Sequence, residues 1–246
     1  ISRTPVSARV DDGEAKGVLL APTSGSRLPL LVLYPDAGGV RAAMEQIGGR
    51  FASHGYAVLI VDPYLRNGPF APFDFATVWT DPVERPRIGA LMASVVPDRL
   101  FGDTRALLAA VSDPRIDTSR FGVFGYCMGG RLAYLSAAAM PERVVAAAAI
   151  HPGGLVTPTD GSPHLRAASV RGSLYFGVAD QDNAFSPEAQ VTLRQALEDA
   201  GVRFEMEVMI GARHGYAVPD FPVFDHAAAE RHYQRSFALF DAALRG

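Results

Sequence analysis

A single cysteine, Cys127, occurs in the 246 residues, which excludes an internal disulfide and any cysteine-rich metal site. That residue is therefore either an apolar filler or a working thiol. The chain also lacks an excess of either charge. Its 23 Lys and Arg against 26 Asp and Glu leave a net charge of −3, scattered along the sequence. No basic stripe for nucleic acid or for a membrane surface is present, so neither is an expected partner. Long hydrophobic runs are missing too: the longest aliphatic stretch, Val144 to Ile150, falls far short of the roughly 20 residues that span a bilayer. The first residues, Ile1-Ser2-Arg3-Thr4-Pro5, have neither the basic nor the apolar region of a signal peptide, and the expected location is the cytoplasm. Metal-binding and phosphate-binding patterns are absent as well. His226 and His232 stand six apart, unlike the i, i+4 pair of a zinc helix, and Gly38-Gly39 is followed by no Gly-Lys-Ser/Thr. No metal and no cofactor are expected.

What is present is a rhythm. Apolar runs at Leu30–Tyr34, Ala57–Val61, Phe121–Phe124, Val144–Ile150, Ser173–Gly177 and Phe204–Ile210 have the continuous character of strands buried on both faces. Helical segments alternate with them, at Val40–Ser53, Pro97–Ser112, Met128–Met140, Pro187–Ala200 and Phe224–Leu244. This alternation gives an α/β class with a mostly parallel sheet and helices on both faces. Gly55 and Gly201 follow helical runs as C-terminal stops, and Ser186-Pro187 is an N-cap followed by proline. The stretch from about 64 to 96 breaks the rhythm with four prolines and with Phe70, Phe73, Phe75 and Trp79. It is an ordered excursion that either covers the crevice at the strand ends or packs as a structural loop. With no linker and no repeat, residues 1–246 are expected to form one domain.

The chemistry concentrates after the strand Phe121–Phe124, in Gly125-Tyr126-Cys127-Met128-Gly129-Gly130, which opens a helix. Gly-x-Cys-x-Gly at a strand-to-helix turn is the nucleophile elbow, with cysteine in the usual serine place. The helix N-terminus behind it supplies N–H groups that stabilise negative charge on the attacking sulfur and on a substrate oxyanion. His214 follows the last apolar run, and Asp180 and Asp182 follow the one before it, so the order nucleophile, acid, histidine is satisfied. Either aspartate could serve as the acid on these grounds. His54 is assigned no chemistry; His151, at a strand end, is expected to be a hydrogen-bonded core histidine in preference to lining the crevice, and His164 lies on a loop that either edges the pocket or is solvated.

Tyr34-Pro35-Asp36-Ala37-Gly38-Gly39, Gly55-Tyr56 with Asp62-Pro63-Tyr64, the elbow, His151-Pro152-Gly153, Asp182 and His214-Gly215-Tyr216-Ala217 together resemble the dienelactone hydrolase family of α/β-hydrolases over nearly the whole chain. The resemblance implies an α/β-hydrolase fold and a Cys127, Asp182, His214 triad, with Asp180 as runner-up to Asp182. It implies an oxyanion hole from the N–H groups of Met128 and Ala37. Asp36 stands where the family has glutamate, as the acid that modulates the thiol. Val218, four residues after His214, replaces an arginine that binds the substrate carboxylate in dienelactone-cleaving members, so the anion clamp is incomplete and uncharged esters and lactones are the expected substrates. Tyr64, Trp79, Arg85, Arg87, Tyr126 and Val218 are candidates for the substrate pocket. The expected partner is a small ester or lactone, taken up by a monomer or homodimer. A thioesterase or acyltransferase would use the same constellation, and a thiol redox sensor or a ligand-binding protein would need only Cys127.

Overall fold

A computed structural model describes residues 1–246. One eight-stranded sheet organises the chain: β1 (Ser2–Val10), β2 (Gly13–Ala21), β3 (Leu28–Tyr34), β4 (Ala57–Val61), β5 (Ile116–Tyr126), β6 (Val144–Ile150), β7 (Ser173–Gln181) and β8 (Phe204–Arg213), in the spatial order β1-β2-β4-β3-β5-β6-β7-β8. From β4 to β8 neighbouring strands run parallel, while β1 and β2 form an antiparallel hairpin added at one edge. The helices are α1 (Ala42–Ser53), α2 (Glu84–Ser94), α3 (Pro97–Ala110), α4 (Met128–Ala139), α5 (Pro187–Asp199) and α6 (His226–Leu244). The mostly parallel sheet with helices on both faces is the architecture expected from the alternating pattern.

Alternate residues of one strand serve opposite faces, as the two-residue strand period requires. Leu30, Val32 and Tyr34 of β3 join the apolar layer that holds α3, α4 and α5, whereas Leu31 and Leu33 join the layer that holds α1 and α6. The central strands are thus buried on both sides. The edge strand β8 is not: Ile210 and Val208 are exposed. Helix ends follow their local chemistry. Gly55 and Gly201 take positive φ just beyond α1 and α5, and the Ser186 side chain accepts the Ala189 N–H at 3.3 Å to cap α5.

Two features differ from expectation. The β1–β2 hairpin, turned at Asp11-Asp12-Gly13, lies where no strand was expected, because its outward residues are polar and only half of each strand is apolar. The excursion contains the eleven-residue helix α2, which buries only Ile88 and Leu91 and so shows no apolar stripe in sequence. Phe75, Val78 and Ile88 pack on Ala37, which seats the excursion on the loop after β3. No helix is long and apolar enough to cross a membrane.

Candidate active site

Cys127 sits between the end of β5 and the first turn of α4, in the backbone conformation φ 54°, ψ −115°, which residues with side chains seldom adopt. The turn is held at both ends. The Cys127 N–H donates to the Ile150 carbonyl at 3.0 Å, and the Cys127 carbonyl accepts the N–H groups of Gly130 and Arg131. The flanking glycines are demanded by close approach: a Cβ on Gly129 would lie 1.9 Å from the Tyr34 carbonyl oxygen, and one on Gly125 would lie 2.1 Å from the Gly129 oxygen. Only hydrogen fits at either position.

His214 follows β8 directly, and Asp182 follows β7, its parallel neighbour. Nδ1 of His214 lies 2.7 Å from Oδ2 of Asp182, and the other carboxylate oxygen of Asp182 accepts the Ala184 N–H at 2.8 Å. A carboxylate with both oxygens engaged and almost no exposure holds the imidazole by its Nδ1 side. The Cys127 sulfur lies close enough to His214 to influence its charge. Burial works against the imidazolium, but the influence of Cys127 and the bond to Asp182 outweigh it, and the His214 pKa is pushed up to about 10. Asp180 points elsewhere, its carboxylate accepting the Gly211 N–H at 2.9 Å. Of the two acids, the structure brings Asp182 to the histidine.

The loop after β3 faces the elbow. Ala37 is buried, its carbonyl accepts the Tyr64 hydroxyl at 2.9 Å, and that hydroxyl lies 3.8 Å from Sδ of Met128. Tyr64 thereby ties the Ala37 loop to the start of α4. Burial first, and then the charges on Asp36 and Cys127, push its phenol upward, so it remains a neutral donor. Among the loop and cap hydrogen bonds none is donated by the N–H of Ala37 or of Met128.

Asp36 differs from its expected role. Its carboxylate is wholly buried and accepts Nη1 and Nη2 of Arg41 at 2.7 and 2.9 Å and the Gly38 N–H at 2.8 Å, with no bond to Cys127. Burial pushes the Asp36 carboxyl upward, opposed by these donors. Arg41 in turn grips Asp220 through Nε and Nη2 at 2.7 and 2.9 Å and lies over the Phe75 ring, 4.6 Å from its centroid. An aspartate, one methylene shorter than glutamate, is captured by the guanidinium instead of reaching the sulfur. Sequence reading missed Arg41 and Asp220, which lie 179 residues apart and carry no local signal of meeting.

The expected pocket residues are dispersed. Tyr126 is fully buried on the α6 side of the sheet, its ring 5.6 Å from that of His232, because the strand alternation turns it away from the elbow. Val218 lies in the same layer: its N–H closes a tight turn onto the Gly215 carbonyl and directs the side chain into the core. Trp79 and Arg85 are exposed. Arg87 is spent on Glu84, the Ala71 carbonyl and the face of Phe73. Tyr64, with Gly38, Arg41, Phe70, Phe73 and Phe75, lines a cavity of about 360 Å³ beside the Ala37 loop. His151 is buried as expected, but neither ring nitrogen has a hydrogen-bond partner.

Comparison with known proteins places these features in context. The family model described as the dienelactone hydrolase family matches residues 15–244. A protein of Escherichia coli (strain K12), provisionally named carboxymethylenebutenolidase, is 29% identical over 227 residues, covering 88% of this chain and 78% of that protein. The carboxymethylenebutenolidase of Pseudomonas putida is 27% identical over 133 residues, covering 54% of this chain and 55% of that protein. Among solved structures, a provisionally named dienelactone hydrolase from Klebsiella pneumoniae superposes with a TM-score of 0.82 at 20% identity, covering 97% of this chain and 98% of that one.

Proposed function

Since the chain belongs to the dienelactone hydrolase family and is a carboxylic ester hydrolase, we propose that it cleaves an uncharged lactone or small ester by acyl transfer through a thioester on Cys127. The observation that carries this reading is the line from Asp182 to His214 to Cys127, anchored by the 2.7 Å contact at Nδ1 and set on the strained elbow. His214 takes the proton of the Cys127 thiol and is left as the imidazolium beside the sulfur. The sulfur attacks the carbonyl carbon, and the N–H groups of Met128 and Ala37 receive the oxyanion. As the tetrahedral species collapses, His214 gives its proton to the departing alkoxide. The thioester sulfur is uncharged, so the influence of Cys127 that holds the imidazole protonated is gone. His214 is then free to take a proton from water, which attacks the thioester and expels the thiolate with the acid product.

The preference for uncharged substrates rests on where the arginines are committed. Arg41 is bound to two carboxylates and Arg87 to a third, and Val218 lies in the core. The aromatic rings of the excursion offer apolar wall instead.

The test is turnover of a neutral aryl ester by the wild type, Cys127→Ala and His214→Ala, with a carboxylated ester run alongside. A loss of roughly a thousandfold or more is expected in both variants. Activity kept in both would overturn the mechanism, and a strong preference for the carboxylated ester would overturn the substrate assignment.

A further inference from the structure

His151 follows β6 and is placed at a cost. Its backbone takes φ 36°, a value rare for a residue with a side chain, and its N–H donates to the Gly177 carbonyl at 2.7 Å. The imidazole is wholly buried, and neither nitrogen meets a partner. A core position serving packing alone would be filled more favourably by an apolar side chain, because an unpaired buried polar group is destabilising. Strain and an unsatisfied polar ring together mark positions kept for something other than stability.

The ring's neighbours indicate what that is. His151 lies 5.0 Å from His214, ring centroid to centroid, with the planes at 66°, and it is backed by Tyr216 at 5.3 Å and Tyr126 at 5.8 Å. The bond to Asp182 fixes where Nδ1 of His214 sits but not how the ring is turned about its last torsion, which is intrinsically broad for histidine. A second contact is needed to direct Nε2 at the sulfur. Burial holds His151 well below 6.5, so it places no second positive charge beside the His214 imidazolium. An electron-rich neutral ring set at an angle to a cationic one is attractive.

We infer that His151 is a positioning residue, whose angled ring contact sets the plane of His214 between Asp182 and Cys127. This rests on the hydrolase mechanism proposed above. The predicted consequence lies in the chemical step, because His151 contacts His214 and not the substrate.

Three variants test it: His151→Asn, which suits the unusual backbone but removes the ring; His151→Phe, which restores a neutral ring; and His151→Leu, which restores volume without one. With a neutral aryl ester, the Asn and Leu variants are expected to lose about three- to tenfold in kcat with KM within about twofold, while Phe recovers to within about twofold of wild type. Wild-type kcat in the Asn variant, equal rates in Leu and Phe, or a loss carried by KM would overturn the inference. Should the Asn variant not fold, the comparison of Phe with Leu decides alone. Failure of the underlying mechanism looks different: Cys127→Ala would then turn over ester whatever occupies position 151.

Discussion

At the scale of single residues, the site depends on one histidine read by two neighbours of opposite character. Asp182 is a fixed acceptor at Nδ1, and in the proposed mechanism Cys127 is a charge that vanishes on acylation. Removing the sulfur should therefore change His214 in a stated direction. In Cys127→Ala the influence of Cys127 is lost, and burial then opposes Asp182 alone, so the imidazole titrates below the wild-type value of about 10. NMR titration of the His214 ring in the two proteins measures this, and an unchanged midpoint would mean that sulfur and imidazole do not interact. The same reasoning separates the two aspartates. Asp182→Asn removes the acceptor at Nδ1 and should cost activity by orders of magnitude, whereas Asp180→Asn disturbs only an exposed contact between the ends of β7 and β8 at the Gly211 N–H. Comparing kcat/KM for the two variants checks it, and the reverse ordering would reassign the acid.

At the scale of elements, the proposed catalytic groups stand on loops that must be fixed to one another, and Arg41 at the entrance to α1 joins two of those loops. Its guanidinium joins Asp36, next to Ala37, the proposed oxyanion donor, to Asp220, in the loop that carries His214. Replacing it with leucine leaves the Asp36 carboxylate wholly buried with the Gly38 N–H as its remaining partner, an arrangement that costs on the order of 3–5 kcal/mol when a buried pair is broken. Arg41→Leu should thus lower the denaturation midpoint sharply, and adding Asp36→Asn should restore part of the loss. A double-mutant cycle with no coupling would show that the pair does not hold the loop. These cross-chain contacts also mark where sequence reading ended. The elbow was legible because its demand for Gly125 and Gly129 is local, and the central strands because burial on both faces makes them apolar throughout. The β1–β2 hairpin and α2 were not, since each shows solvent much of its surface. Asp36 was placed in the right loop but given the wrong neighbour. His151 was expected to be buried but was assigned hydrogen bonds that it lacks. Both outcomes depend on residues brought together only by the fold.

At the scale of the whole molecule, the polar groups buried on the α6 side of the sheet set how the fold responds to acid. His232 is wholly enclosed by Tyr126, Tyr216 and Tyr233, with neither ring nitrogen bonded. Burial, reinforced by the nearby Arg50 and only partly offset by Glu230, pulls its pKa down to about 3. His151 is lowered by burial and by His214 and His232. A base whose folded pKa is depressed contributes stability that is fully present above its unfolded value of about 6.5 and is lost as pH falls toward the folded value. His232 therefore withdraws up to ~1.4 kcal/mol per pH unit below about 6.5, or ~2 kcal/mol by pH 5, and His151 acts in the same direction. His214 acts in the opposite sense. Raised to about 10, it adds stability that is complete below 6.5 and fades as pH rises toward 10, so it leaves the acid window flat. Against a total stability of roughly 5–15 kcal/mol, the loss at His232, with His151 acting in the same direction, makes the fold more acid-sensitive above the range where paired carboxylates titrate. The discriminating measurement is urea denaturation at pH 7 and pH 5 for the wild type and His232→Phe. The variant keeps an aromatic ring among the three tyrosines and removes two unpaired nitrogens, so it should match or exceed wild-type stability at pH 7 and lose about 2 kcal/mol less on acidification. Equal losses in the two proteins would mean that His232 binds no extra proton on unfolding in this range, and that the acid response arises elsewhere.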